Sequence, residues 1–193
     1  MIPPSPAFIS LLNFVDAQAW QRIQEHLAHV LAIPIRTIGF SHELFVQPSW
    51  PANLMNDSVI ALLQAGEELD QLLPVKSLPQ ELTSITTAIG VTYSAVPIRA
   101  TPETLSAYVV LGPIIVGVRE DEIEFKRRVN QLGLDAAVLW PVLLSLKLYS
   151  FSSLRAVMAL IEEVGNLLAA QGYKIKPFEP AEPLRAEAEA TAS

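Results

Sequence analysis

From Val91 to Gly117 the chain reads VTYSAVPIRATPETLSAYVVLGPIIVG, and little but a long β-ribbon accommodates such a run. Val, Ile, Tyr and Thr dominate it, residue types that suit a pleated surface. Ala100 to Thr104 breaks it, and Pro102 sets its own φ for a turn. Antiparallel pairing about that turn puts Pro97 opposite Tyr108 and Ala95 opposite Val110. Side chains alternate along a strand. One face then carries Tyr93, Ala95, Pro97, Tyr108, Val110 and Gly112; the other carries Val96, Ile98, Ala107, Val109 and Leu111. The second face is purely aliphatic and should pack on helices. The first is apolar, with two phenol tips and two backbone-shaping residues, the makeup of a small-molecule pocket wall. The other reading is that both faces are core and the tyrosines hydrogen-bond to backbone.

A length of 193 residues fits one domain. Hydrophobic residues make up 51% and charged residues only 17%. That apolar surplus suits an oligomer interface or an apolar cavity as well as a core. The net charge of −7 argues against direct nucleic-acid binding, which needs a concentrated basic face. The one basic cluster, Lys126-Arg127-Arg128, follows the acidic run Glu120 to Glu124 and reads as the solvated side of one helix. With no cysteine, disulfides, thiolate metal sites and cysteine nucleophiles are excluded. No basic segment followed by an apolar core opens the chain. Gly112, Pro113 and Gly117 interrupt the longest apolar stretch. No membrane span is expected, and a cytoplasmic location is.

The rest of the chain reads mainly as helices. Residues 1–15 form an N-terminal segment in which Phe8 to Val15 suits a short helix. Asp16 is a good N-cap, and Val15 with Trp20 fits a hydrophobic staple. The helix that follows places Trp20, Ile23, Leu27, Val30 and Leu31 on one stripe, with His26 and His29 on its solvated side. Pro34 ends it. Residues 34–40 and 42–47 read as two short strands, then Pro48 to Pro51 as a rigid loop bearing Trp50, which is either a lid over a cavity or a plug at the core edge. Asn56-Asp57-Ser58 caps a helix to about Ala65, and Thr83 to Ile89 looks extended. Glu120 to Leu132 suits a helix, another begins at Asp135 with Pro141 inside it, and the last runs from Ser150 or Ser152 to about Gln171. Leu154, Val157, Met158, Ile161, Val164 and Leu168 form its stripe. Residues 173–193, rich in Ala, Glu and Pro, read as a disordered acidic tail.

Catalytic signatures are missing: there is no GxGxxG, GxxxxGK[ST], HExxH or GxSxG. His26 and His29 lack further ligands to complete a metal site. His42 beside Glu43 is an acid/base pair only if both enter a pocket. No enzyme, metal or cofactor is expected.

The order of several short motifs resembles a known family. A helix beginning at an aspartate leads into a strand after Ile33-Pro34-Ile35. A strand from Gly90 ends in Val96-Pro97-Ile98, and the next ends in Leu111-Gly112-Pro113 before an acidic helix. Gly133-Leu134-Asp135 opens another helix, and Leu148 to Phe151 steps into the last. This pattern is similar to the PocR-type sensory domain, a PAS-like ligand-binding module of bacterial regulators, over roughly residues 14–172, with the domain itself placed at 16–172. The resemblance implies an α+β fold, a sheet of about five antiparallel strands flanked by helices, with a small organic molecule on its concave side and a role in signal transduction or transcriptional control. Family members often carry cysteines near the glycine-led strand; here that neighbourhood is Thr86 to Val91, which puts a cysteine-dependent role in doubt. Members are usually fused to an output domain, which this sequence does not show, so the chain reads either as a stand-alone sensor, with a separate output protein as one partner, or as a piece of a larger system.

The leading expectation is a non-catalytic sensor. Tyr93 and Tyr108 would orient a small, largely apolar ligand, Pro97, Val110 and Gly112 would shape the pocket floor, Phe45 and Trp50 would be lids, and Arg36 would pair with a carboxylate. A homodimer through the terminal helices would carry the signal. The alternative is a ligand-free dimerisation or interaction scaffold with a filled interior. A third reading is an enzyme acting through His42 and Glu43.

Overall fold

The computed structural model describes residues 7–39, 43–54 and 81–175. The expected ribbon is its centre. Strand β4 (Thr92–Thr101) and strand β5 (Thr104–Val116) pair antiparallel about a turn at Pro102 and Glu103, with Ala95 opposite Val110 and Pro97 opposite Tyr108. Strand β3 (Thr83–Thr86) pairs with β4 from Thr92 to Ala95. Pro97 lies beyond that pairing, where its missing N–H deprives no ladder.

The other edge of β5 is tiled by three short strands: β1 (Ala7–Phe8) in parallel at its start, β2 (Ile35–Ile38) antiparallel in the middle, and β6 (Leu148–Tyr149) in parallel at its end. Sequence reading missed β1 and β6, because a two-residue strand has too few positions for an alternating pattern. Phe8 is therefore in a strand, and only Leu11–Asn13 forms a 3₁₀ turn where a short helix is expected. Residues 43–49 form no named strand; isolated bridges join Ile38 to Leu44 and Ile35 to Ser49.

Helix α1 (Ala17–Leu31) begins at Asp16, whose carboxylate accepts from the Ala19 N–H at 2.8 Å, and stops where Ala32 turns left-handed at φ 54°. Helices α2 (Glu122–Gln131) and α3 (Ala136–Ser145) are capped by Asp121 and Asp135. Helix α4 (Phe151–Ile175) starts at Ser150, whose hydroxyl accepts from the Ser153 N–H at 3.0 Å. It takes in residues 173–175 of the expected tail; the remaining tail and the helix expected from Asn56 lie outside the described residues. The α+β fold is as read, and it is consistent with a PAS-like arrangement.

The two faces of the ribbon bury different layers. Val96, Ile98, Ala107, Val109 and Leu111 meet Trp20 and Ala28 of α1 and Leu154, Met158 and Ile161 of α4. Tyr93, Ala95, Tyr108 and Val110 meet Ile38, Leu54, and Phe125, Val129, Leu139 and Leu143 of α2 and α3.

The stripe of α1 is rotated from expectation, and that of α4 departs from it at one residue. In α1 the buried line is Trp20, Gln24 and Ala28, and Val30 is 79% exposed. Gln24 goes inside because it completes a polar network. Trp20 Nε1–H donates to Thr37 Oγ1 at 2.8 Å, the Thr37 hydroxyl donates to Gln24 Oε1 at 2.7 Å, and Gln24 Nε2 donates to the Gln47 carbonyl at 2.8 Å and to Ser49 Oγ at 2.9 Å. Each buried polar group thereby gains a partner. In α4, Leu154, Met158 and Ile161 are buried as read, but Val164 is turned outward.

Candidate functional site

Sequence puts Tyr93, Pro97, Tyr108, Val110 and Gly112 on one face of the ribbon, with Trp50 a lid or plug beside it and Arg36 a carboxylate partner if it points inward. Alternation in β2 separates Ile35 and Thr37, which meet α1, from Arg36 and Ile38, which meet the tyrosine layer. The Arg36 guanidinium carbon stands 5.9 Å from the centroid of the Tyr93 ring, a cation–π distance. It is paired in register with Val110, so both lie in the same row. Trp50 is half-buried and packs on this layer, and the Pro48 to Pro51 loop that carries it is held by the Gln24 bonds to Gln47 and Ser49.

Gly112 is the reason the Tyr93 ring lies so close to β5. The pairing slips by one residue between Thr92 and Ser94, where Gly112 and Pro113 form a bulge. Gly112 has φ +118°, and a Cβ there would meet the Thr92 carbonyl at 2.6 Å and Tyr93 Cδ1 at 3.2 Å. Pro97 is buried opposite Tyr108, and Val110 is fully buried.

The tyrosines are closed over: Tyr93 is 1% and Tyr108 0% exposed. Burial pushes the Tyr108 phenol up to about 12, against the opposing pull of Arg99. Beneath α2 and α3 the cavity bounded by Val91, Phe125, Leu139 and Leu143 has about 10 Å³, at the limit of what holds one water. Arg36, Trp50 and Ile85 stay half-buried at the β2–β3 end of this face, as Phe8, Ile89 and Trp140 do elsewhere on it.

Phe45 is not a lid on this face. Its N–H bonds the Thr37 carbonyl at 2.9 Å, which seats the ring beside Thr37 among the residues of the α1 layer. His42 lies outside the described residues, so the His42–Glu43 pair has no geometry here. His26 and His29 are exposed, and no group of three potential metal ligands occurs among the described residues. The basic cluster is the paired side of α2: Lys126 with Glu122 at 2.5 Å, Arg127 with Glu124 at 2.6 Å, and Arg128 with Glu120. No helix among the described residues is long and apolar enough to cross a membrane.

Sequence reading missed Ile38, Leu54 and Ile85 as neighbours of the tyrosines. It also missed an open groove of about 1130 Å³ on the other layer, between β3 and α4, lined by Leu82, Ser84, Leu154, Arg155, Met158 and Glu162 among others. Nothing in the local pattern announced it, because it forms where a helix passes the edge of a sheet.

A family model described as the sensory domain found in PocR matches residues 13–173. Comparison with curated proteins and with solved structures found no match.

Proposed function

The chain belongs to the family of the PocR sensory domain, and from that premise we propose that it is a non-catalytic sensor binding a small, largely apolar molecule at the half-buried end of the tyrosine face. The observation that carries this is the guanidinium of Arg36 held over the Tyr93 ring on a face otherwise built from Ile38, Leu54, Ile85, Trp50 and Val110. A guanidinium set against an aromatic ring on an apolar wall suits a ligand with a hydrocarbon or aromatic body and a polar head. Trp50 covers the body beside Arg36, while the buried Tyr93, Val110 and Gly112 shape the floor from within. Tyr108 and Pro97, fully enclosed, support that floor from behind. The domain sits in signal transduction or transcriptional control, acting through α1 and α4 on a partner copy and a separate output protein.

The test is mass spectrometry under native conditions on protein purified from its host. A retained mass of a few hundred daltons, lost on Arg36→Ala or Tyr93→Ala with the fold intact, supports the reading. Protein that carries nothing, and that aromatic and aliphatic carboxylic acids do not protect against thermal unfolding, sinks it in favour of a ligand-free interaction scaffold.

A further inference from the structure

One buried amide bonds both chain segments that carry the half-buried contacts of the proposed site. Gln24 of α1 is 2% exposed. Its Oε1 accepts from the Thr37 hydroxyl at 2.7 Å, and Thr37 follows Arg36 directly in β2. Its Nε2 donates to the Gln47 carbonyl at 2.8 Å and to Ser49 Oγ at 2.9 Å, and Ser49 directly precedes Trp50. Both amide hydrogens and the amide oxygen are therefore engaged. One end of the side chain holds the strand that bears Arg36, and the other holds the loop that bears Trp50.

The backbone ties the same two segments together. Ile35 and Ser49 exchange N–H to carbonyl bonds, each at 2.9 Å. Arg36 thus stands between Ile35, which is paired with the loop, and Thr37, which is pinned by Gln24 and by the Trp20 indole N–H. Alternation along β2 sends Arg36 to the tyrosine face while Gln24 works from the α1 side. An apolar side chain would fill this place with less desolvation. A fully bonded buried amide instead specifies one arrangement of the groups around it.

We propose that Gln24 is a positioning residue of the ligand site. From the opposite side of the sheet its amide fixes the spacing of Arg36 and Trp50, and so the thickness of the ligand body that the site admits. Contact residues keep a productive geometry only where a second set of bonds holds them from behind. The proposal rests on the reading that Arg36 and Trp50 contact the ligand.

Its test uses the three tryptophans, Trp20, Trp50 and Trp140. Fluorotryptophan labelling gives each a fluorine resonance, assigned by changing each to Phe in turn. Gln24→Met, close to Gln in size but without donors, should shift or broaden the Trp50 line. The Trp140 line, from a ring set against Phe125, should stay in place. Thr37→Val removes a hydroxyl that bonds Gln24 and Trp20 but not the loop. It should move the Trp50 line as well, Thr37→Ser should restore it, and Thr37→Val should add nothing further in the Gln24→Met protein. Where Gln24→Met fails to fold, Thr37→Val and Thr37→Ser carry the test. Benzoate and cyclohexanecarboxylate, with the same head but a flat and a puckered ring, then read the spacing through protection against thermal unfolding. Wild type should favour benzoate, and Gln24→Met should cut that preference by about tenfold. A Trp50 line blind to either change, a Trp140 line that moves as far, or a preference equal in Gln24→Met and wild type overturns the proposal. If neither acid protects wild type, the ligand reading fails, and the fluorine lines, read without any ligand, still decide the positioning.

Discussion

Gly112 and Tyr108 show how little of the tyrosine face can be altered. Only glycine takes φ +118° without strain, and an added methyl would be driven against the Thr92 carbonyl, a backbone atom that cannot swing away. Gly112→Ala should therefore cost about 2–3 kcal/mol, measured as a shift in the denaturant midpoint at unchanged slope; a loss under about 0.5 kcal/mol would mean the bulge relaxes freely. Tyr108 offers a titration. Burial pushes its pKa up from 10.0 to about 12, so the folded protein keeps a proton that the unfolded chain loses first. Folding then draws on Tyr108 fully below pH 10, and that contribution disappears as the pH rises through about 12. Following phenolate absorbance, Tyr108→Phe should delete the late-ionising step; an unchanged titration curve would contradict the enclosure described for this side chain.

At the level of elements, the ribbon was readable because alternation over strands this long leaves one choice of register, and a slip of one residue would exchange an aliphatic face for one bearing phenols. The helix starts at Asp16, Asp121 and Asp135 were equally plain, since each carboxylate caps backbone N–H groups. What the sequence hid was rotation. Apolar periodicity points α1 inward along Ile23 and Leu27, yet Gln24 wins the inner position, because its amide satisfies Ser49, Thr37 and the Gln47 carbonyl together. Gln24→Leu should thus destabilise by about 1–3 kcal/mol despite raising hydrophobicity, by leaving those groups short of partners. Chemical denaturation decides it, and a more stable Gln24→Leu protein would show the network to be dispensable. Phe45 was misplaced for a related reason: its side is set by the bond to Thr37 in an irregular segment, and irregular backbone carries no period to read. Helix α4 is docked by similar particulars, with Gly165 close against Ile98 and Asn166 Oδ1 accepting from the Arg99 N–H at 2.7 Å where β4 is bulged.

In the whole molecule, the proposed ligand end and helix α4 lie on opposite faces of one sheet, so any signal between them must cross it. The crossing is short: Tyr93 and Ala95 face one layer, while Val96 and Ile98, next along the same strand, bear on α4. A ligand that shifts the Tyr93 ring pulls on β4 at its bulge, and α4 rests on β4 through Gly165 and Asn166. Linkage makes this testable without knowing which way the helix moves. If ligand changes the dimer constant by some factor, dimerisation must change ligand affinity by the same factor, typically about 5–150-fold for coupled sites. Protein diluted to monomer should therefore bind the ligand with an affinity altered by the factor by which saturating ligand shifts the dimer constant. Calorimetry supplies the first quantity and sedimentation the second. Equal affinities in monomer and dimer would mean that α4 pairs without listening to the tyrosine face, and the route to the output would then have to run through α2 and α3 instead.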